Sequence, residues 1–218
     1  MSGFDDIRIR AEHAGAFETS IIYSSFKDCD ALCTALKASI AERRAGGENM
    51  PRSNVGGWHS DTRMLDWGGE AANFVADKAL ALAKRITGLD QGDPAALDWK
   101  IYMWANVLPA GGLNTAHVHP GELWAAVFYV DQGNAGDDIG GELVLEDPRF
   151  PMTHMRMNSL RVLGSDGQPQ QGELRLRPNS GDMILFPAWL RHWVRPYHGQ
   201  RERISLAMNI DARPPGGK

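Results

Sequence analysis

The sequence predicts an α+β protein in which helices pack against one face of an antiparallel β-sandwich or barrel. In the first part of the chain, apolar residues recur every three or four positions, as they do on amphipathic helices. From Asp98 the period falls to two, which is the alternation of a half-buried strand. Short alternating segments separated by Gly, Asn, Asp and Pro then follow, and many short strands with such spacing indicate a sandwich or barrel.

Two helices are predicted before Asp98. The first spans about residues 30–45, with Asp28 or Asp30 as its cap and the glycine pair 46–47 at its end. The second spans about residues 70–87. Each carries an apolar stripe that we expect to pack on the sheet. The stripes are Leu32, Leu36 and Ile40 in the first helix, and Ala71, Val75, Ala79, Leu82 and Ile86 in the second.

The other N-terminal segments are less regular. Four isoleucines hint at short strands before the first helix. Between the helices, residues 53–60 form a glycine-rich stretch that predicts a loop, in which we expect Trp58 and His59 to be exposed. The isoleucines are Ile7, Ile9, Ile21 and Ile22.

Strands dominate the rest of the chain. No linker or internal repeat divides it, so we predict a single domain over residues 1–218, with a helix-rich part over 1–97 and a β core over 98–211. The predicted strands are 98–107, 116–119, 123–130, 142–145, 173–177, 183–186, 192–195 and 203–210.

The composition excludes several classes of protein. The 43% apolar and 23% charged residues are ordinary for a soluble globular protein. A net charge of −4 with interspersed signs argues against nucleic acid or an anionic membrane as a partner. No apolar run reaches the ~20 residues of a membrane span, and no secretory signal is visible, so we expect a cytoplasmic protein. Cys29 and Cys33 are expected to be reduced packing residues.

Three histidines form the candidate metal site. His117 and His119 lie two residues apart in a predicted strand, where side chains of that spacing share a face. His192 follows a separate apolar strand. Neutral imidazole nitrogens bind Fe(II), Zn(II), Cu(II) or Ni(II). If the β core closes into a barrel, the three rings could hold a redox-active iron inside it.

An arginine and a serine extend this site. Arg203 stands eleven residues after His192, and Ser205 shares its strand face. A guanidinium binds a carboxylate through a planar, two-pronged pair of hydrogen bonds. Open positions on the iron would accept an oxo-acid and then O₂. We therefore expect Arg203 and Ser205 to hold the far carboxylate of a metal-bound oxo-acid.

These motifs resemble those of the 2-oxoglutarate- and Fe(II)-dependent oxygenases. The match is best with a bacterial subgroup that carries Ser-Asn-x-x-Gly-Trp, His-x-His-Pro, Phe-Pro-x-x-x-x-His and Arg-x-Ser in this order. Here the pieces stand at residues 53–58, 117–120, 186–192 and 203–205, so that the resemblance extends over residues 53–209.

The resemblance implies a fold and an activity. The fold would be a double-stranded β-helix, a jelly-roll or cupin-like core, with the N-terminal helices behind the larger sheet. The enzyme would use Fe(II), 2-oxoglutarate and O₂ to hydroxylate a C–H bond of a small molecule or a peptide side chain, with release of succinate and CO₂. His117 and His192 match the iron-binding histidines. Arg203 and Ser205 match the residues that bind 2-oxoglutarate, and Tyr129 matches a tyrosine that assists them.

Position 119 departs from the family pattern. The family usually places an aspartate or glutamate there, whereas this chain has His119. The sequence leaves three arrangements open. Three histidines bind the metal, Glu122 swings in as the carboxylate ligand, or His119 only hydrogen-bonds and water completes the site.

Two other functions stay open at this stage. One is a cupin-type dioxygenase or isomerase that uses three histidines and no 2-oxoglutarate. The other is a non-catalytic barrel that binds a metal or ligand. Neither requires an arginine–serine pair at positions 203 and 205. The substrate is not determined by the sequence, and a homodimer remains an option.

The remaining aromatic and polar residues near the motifs have weaker assignments. We expect the tryptophans at 58, 104, 124, 189 and 193 to pack the core or the pocket wall, with Trp189 or Trp193 as candidates to face substrate. Asn106 and Asn114 could support the site from behind the ligands, or they could equally satisfy polar groups at strand ends. The other histidines, expected at the surface or in caps, are His59, His154 and His198.

Overall fold

Strands and a few helices account for most of the chain in the computed structural model, which describes residues 10–47, 49–133, 139–149 and 159–216. The helices are α1 Asp30–Ala45, α2 Met64–Trp67 and α3 Gly69–Ile86, with a 3-10 turn at Pro94–Ala96. The strands are β1 Ile22–Ser25, β2 Asn54–Val55, β3 Trp58–His59, β4 Asp98–Leu108, β5 Leu113–His117, β6 Trp124–Asp131, β7 Leu143–Glu146, β8 Glu173–Leu176, β9 Asp182–Pro187, β10 His192–Val194 and β11 Arg203–Arg213.

The strands form two sheets. The larger sheet has the order β1-β9-β6-β11-β4-β3, and the smaller has the order β2-β5-β10-β7-β8. Neighbouring strands in both sheets run antiparallel and are seldom consecutive in sequence, which is the interleaved order of a jelly roll. The predicted α+β class with a double-stranded β-helix core is therefore confirmed.

Helices α1 and α3 cover the outer face of the larger sheet, as predicted. Leu36 and Ile40 of α1 and Val75 and Ala79 of α3 pack in one buried cluster with Met208 of β11. Burial of each large side chain contributes roughly 1.5–3 kcal/mol relative to exposure. In the part of the chain that the structure describes, no helix has the length and hydropathy that a membrane crossing requires.

The buried face of α3 differs from the predicted stripe. Val75 and Ala79 are buried as predicted, but Ala71, Leu82 and Ile86 are only partly buried. The helix turns its alanines toward the sheet instead, because small side chains let its backbone lie close to the strands. The fully covered alanines are Ala72, Ala76, Ala79 and Ala83.

The predicted cap of α1 is wrong. The residue before the helix is Cys29, and no side chain caps it there. Asp28 adopts a left-handed backbone conformation with φ of 52°. Asp30 is the first helical residue, where its negative charge interacts favourably with the helix dipole.

Residues 53–60 do not form the exposed loop that the glycines predict. They supply strand β2, which pairs with β5 of the smaller sheet, and strand β3, which pairs with β4 of the larger sheet. Trp58 and His59 are 7% and 2% exposed, so both are buried. The segment therefore closes one side of the barrel by joining an edge of each sheet.

The helix-rich part before residue 98 also contributes strands. Ile22 begins β1, the edge strand of the larger sheet, whereas Ile7 and Ile9 lie outside the described residues. Most later strands agree with prediction to within a few residues. Strand β5 is shifted toward the N-terminus, and it ends at His117 rather than running to His119.

We predict that Gly57→Ala destabilises the fold, because this glycine lets the segment approach β4. A Cβ at residue 57 would lie 2.6 Å from Leu108 Cδ2 and 2.8 Å from the Val107 carbonyl oxygen, and the backbone oxygen cannot move aside. Overpacking of this kind typically costs about 1–3 kcal/mol. Urea unfolding measures the loss. The control is Gly88→Ala, because a Cβ there meets nothing within 4 Å; equal stability of the two variants would contradict the prediction.

Candidate metal centre

The three predicted histidines converge inside the barrel. His117 is the last residue of β5 and His192 the first of β10, and the two lie opposite each other in an antiparallel pair. His119 lies two residues beyond the end of β5. One ring nitrogen from each histidine can be chosen so that all three lie within 4.8 Å of one another. The ring centroids are 4.4 Å apart for His117 and His192, and 5.0 and 5.1 Å from His119 to each of them.

His119 reaches the cluster by a different route from the one its spacing suggested. It does not share a strand face with His117, because the strand has already ended. Its backbone N–H donates to the Ala188 carbonyl at 2.9 Å, and the Ala188 N–H donates to the Leu123 carbonyl at 3.0 Å. The segment after β5 is thereby tied to the segment between β9 and β10, which brings His119 beside His192.

Backbone carbonyls orient two of the imidazoles. His117 Nδ1 lies 2.7 Å from the Thr115 carbonyl oxygen, and His192 Nδ1 lies 2.8 Å from the Leu190 carbonyl oxygen. A carbonyl can only accept, so each Nδ1 carries the hydrogen and each Nε2 keeps its lone pair. The His119 ring makes no such bond to any described residue. Two of the three rings are therefore held in the form that binds a metal through Nε2.

Burial keeps the three imidazoles neutral. Burial, with a smaller contribution from the neighbouring His117, lowers the pKa of His192 to about 3 and that of His119 to about 4. The pKa of His117 is also lowered by burial, which outweighs its bond to the Thr115 carbonyl. Metal ligands must be deprotonated. The donor set, its convergence and its protonation state therefore fit a divalent transition metal.

Glu122 is not part of the cluster. Among the described residues, the group of metal-ligating side chains contains the three histidines and no carboxylate. Burial raises the pKa of Glu122, Asp211 raises it further, and Arg213 acts in the opposite direction. These neighbours place the Glu122 carboxylate beside the end of β11, and the geometry favours His119 over Glu122 as the third ligand.

The same cavity contains a buried, positively charged side chain, that of Arg203. Arg203, Ser205 and Tyr129 are 2%, 4% and 0% exposed, and Ser205 pairs with Tyr129 across β11 and β6. The Arg203 guanidinium carbon lies 5.2 Å from the centre of the Tyr129 ring. Arg203 Nε and Nη2 and the Tyr129 hydroxyl are buried without a hydrogen-bond partner in the described part of the chain.

This arrangement is suited to an anion. Burial lowers the pKa of Arg203, but a guanidinium stays charged in proteins. Burial also raises the pKa of Tyr129 to about 12, against the opposing effect of Arg203, so its hydroxyl is a neutral donor. An unpaired buried charge is costly, and a carboxylate would satisfy both donors at once. The sequence-predicted trio is therefore brought together around one candidate carboxylate site.

The cavity joins the histidines to this trio, and asparagines complete its wall. It is lined by all six predicted site residues together with Trp104, Asn106, Asn114 and Trp193. Asn114 donates to Ser53 Oγ at 3.2 Å and to Asn54 Oδ1, while Asn54 donates to the Trp58 carbonyl at 3.4 Å. The Ser-Asn-x-x-Gly-Trp motif thus supports the wall of the cavity from behind.

The remaining tryptophan and histidine candidates differ in whether they line the cavity and in whether they are buried. Trp193 lines the cavity, whereas Trp189 is 54% exposed and does not. His59 is buried, not at the surface as predicted, because β3 places it on Trp104, with the ring centroids 5.7 Å apart. His198 is exposed as predicted, and His154 lies outside the described residues. Alternation along β4, which puts Trp104 and Asn106 on one face, is the sequence signal for their place in the wall.

Comparison with known proteins identifies a family. A model of the family described as "Putative 2OG-Fe(II) oxygenase" matches residues 102–209, which include every candidate metal and carboxylate ligand. No curated protein matches the chain by sequence.

Solved structures share the fold. A prolyl-4-hydroxylase from Pseudomonas putida is 22% identical, with 89% of this chain and 94% of that chain covered and a TM-score of 0.58. A prolyl hydroxylase from Trichoplax adhaerens, in complex with a hypoxia-inducible-factor peptide, is 13% identical, with 88% and 83% covered and a TM-score of 0.62. The epimerase SnoN, in complex with Fe3+, α-ketoglutarate and nogalamycin RO, is 12% identical, with 91% and 83% covered and a TM-score of 0.61.

The family match spans the strands that carry the histidine cluster and the buried arginine, and the structural matches extend the shared fold over most of the chain. The chain therefore belongs to the 2-oxoglutarate- and Fe(II)-dependent oxygenases, and it is a non-haem iron oxidoreductase with Fe(II) as cofactor and 2-oxoglutarate as co-substrate.

Proposed function

We propose that the protein hydroxylates a C–H bond of a small molecule or of a peptide side chain, with 2-oxoglutarate and O₂ consumed and succinate and CO₂ released. The observation that carries this proposal is the single cavity that joins three convergent imidazoles to a buried, unpaired guanidinium. The similar structures include one in complex with a peptide and one in complex with nogalamycin RO, which supports both substrate classes.

Each protein group has a distinct task in this reaction. His117, His119 and His192 would hold the iron, which supplies O₂ activation coupled to oxidative decarboxylation of 2-oxoglutarate. Arg203 and Ser205 would bind the far carboxylate of 2-oxoglutarate, and the Tyr129 hydroxyl would donate a further hydrogen bond. Because these groups are almost fully buried, water is excluded from the carboxylate and each charge-assisted bond is strengthened.

A three-histidine enzyme that uses no 2-oxoglutarate is the alternative that His119 would favour. Such an enzyme would not need a buried arginine beside a serine and a tyrosine hydroxyl in the same cavity. A non-catalytic barrel would not need this group of residues either. The test is succinate formation from 2-oxoglutarate in the presence of Fe(II), ascorbate and air. A protein that binds iron but neither binds nor consumes 2-oxoglutarate would refute the proposal and leave the alternatives.

We predict that His192→Ala and His117→Ala each abolish metal binding. Loss of one ligand should weaken affinity by more than the ~10–100-fold that loss of a supporting partner typically costs. Metal analysis after dialysis gives the bound fraction. His198→Ala is the control, since this histidine is exposed and lies outside the cluster. Retention of a full equivalent of iron by either ligand variant would show that the assigned residue is not a ligand.

Arg203→Ala should retain the metal and lose 2-oxoglutarate. The guanidinium would be the main partner of a desolvated carboxylate, and loss of such a charge pair costs about 2–5 kcal/mol. Lysine should rescue only part of the affinity, because it lacks the two-pronged geometry. Calorimetric titration of the metal-loaded protein measures both variants. Arg213→Ala, at the exposed end of the same strand, should bind normally; unchanged affinity in Arg203→Ala would remove the basis for 2-oxoglutarate binding at this site.

Substitutions at His119 and Glu122 separate the candidate third ligands. If His119 coordinates, His119→Ala should weaken iron binding strongly, whereas His119→Asp should be tolerated because a carboxylate is the usual ligand at this position in the family. Glu122→Gln should leave iron affinity nearly unchanged. Iron titration of the three variants decides the matter. A sharp loss in Glu122→Gln with little loss in His119→Ala would assign the carboxylate instead.

A further inference from the structure

The cavity contains one ionised side chain and no acidic one. Among the described residues that line it, Arg203 carries a positive charge, and the three histidines would bind a metal as neutral imidazoles. Glu122 and Asp211 do not line the cavity, and they lie beside Arg213 near the end of β11. The charge inside the cavity is therefore set by Arg203 and by whatever binds there.

His119 changes the charge balance of the loaded site. With the family's usual carboxylate at this position, a divalent metal and the arginine are neutralised by that carboxylate and the dianion of 2-oxoglutarate. With imidazole in its place, the same ligands leave one positive charge uncompensated. An uncompensated charge in a buried site is costly, and a further anion would remove that cost.

An N–H donor on the His119 side of the cavity lacks a partner. The centre of the Trp104 ring lies 5.7 Å from that of His59 and 5.9 Å from that of His119. Trp104 lines the cavity, and its indole N–H donates to no described residue. A directional N–H donor suits an oxo-anion.

We infer that the substrate carries a carboxylate, which lies beside His119 and Trp104 and supplies the negative charge that position 119 lacks. This inference rests on the proposed function, because it assumes that the metal and 2-oxoglutarate occupy the same cavity. It narrows the substrate to a monoanionic acid, whether a small molecule or a peptide with a free or side-chain carboxylate near the reacting carbon.

The test uses the full-length protein loaded with Ni(II) and 2-oxoglutarate, so that no turnover occurs. Acetate and its neutral counterpart acetamide are the probes. Relaxation of their methyl protons near the paramagnetic ion, measured against concentration, reports affinity and proximity, with Zn(II)-loaded protein as the blank. We expect acetate to bind at least about tenfold more tightly than acetamide, since one unit charge at ~5 Å exceeds a factor of ten even at an effective dielectric of about 20.

Two variants test whether the preference for acetate arises at His119 and Trp104. His119→Asp should lower acetate affinity at least about tenfold while metal and 2-oxoglutarate are retained, because it restores the internal negative charge. Trp104→Phe, which removes the indole donor and keeps the ring, should lower acetate affinity several-fold and acetamide affinity less, because a carboxylate is the stronger acceptor. If His119→Asp loads no metal, the comparison of acetate with acetamide in the unsubstituted protein still decides.

The outcomes are distinguishable from failure of the proposed function. Absence of calorimetric 2-oxoglutarate binding would overturn the proposed function and this inference together. Normal 2-oxoglutarate binding with equal affinities for acetate and acetamide would overturn this inference alone. Displacement of acetate by millimolar chloride would show that an inorganic anion on the metal supplies the charge, and would overturn the assignment to substrate.

Discussion

The burial of the Arg203 guanidinium is the constraint on which much of the structure depends. An almost fully buried cation without a protein counter-ion must be held against its tendency to reach water. Strand β11 provides that restraint, because it pairs along most of its length with β4 on one side and β6 on the other. Its alternation sends Leu206 into the helix-covered core and Arg203 and Ser205 into the cavity. The helices thus stabilise the site indirectly, since their packing fixes the strand that carries the arginine.

The meeting of His117 and His192 depends on the register of strand pairing in the smaller sheet. His117 and His192 meet because β5 and β10 pair at those residues, and a slip of one residue would send both rings to the opposite face. Each ring is restrained locally in the same way, because its Nδ1–H donates to the carbonyl two residues earlier. His119 lacks that restraint and is positioned by backbone hydrogen bonds through Ala188. The residue that departs from the family pattern is therefore also the one with the least constrained ring.

Much of the fold was predictable from the change in the spacing of apolar residues at Asp98. The alternating pattern of a strand reflects burial of one of its faces, so it can be recognised without knowledge of distant partners. The position of α3 was less predictable, since an alanine-rich face gains from close approach rather than from side-chain size. The burial of Trp58 and His59 was missed because each short strand of this segment forms by pairing with a partner about 50 to 60 residues away. The convergence of the histidines was predictable from motif spacing, yet the reason given for His119, a shared strand face, was wrong. His119 is brought to the other two histidines by tertiary backbone hydrogen bonds, which cannot be predicted from local sequence.

The neutral ligand set has consequences for how the iron is held. A carboxylate ligand attracts a divalent cation by its charge, whereas three imidazoles rely on donor strength and geometry alone. An all-nitrogen site also follows the general order of transition-metal affinities, in which Ni(II) and Cu(II) exceed Fe(II), so occupancy by iron depends on which metals are available. The pKa values of His119 and His192 are lowered by burial, so no proton competes with the metal near neutral pH. Burial does not replace the missing negative charge, because it disfavours a metal cation in the cavity as well as a proton. The three-histidine set therefore leaves a positive charge on the loaded site that a bound acid would neutralise.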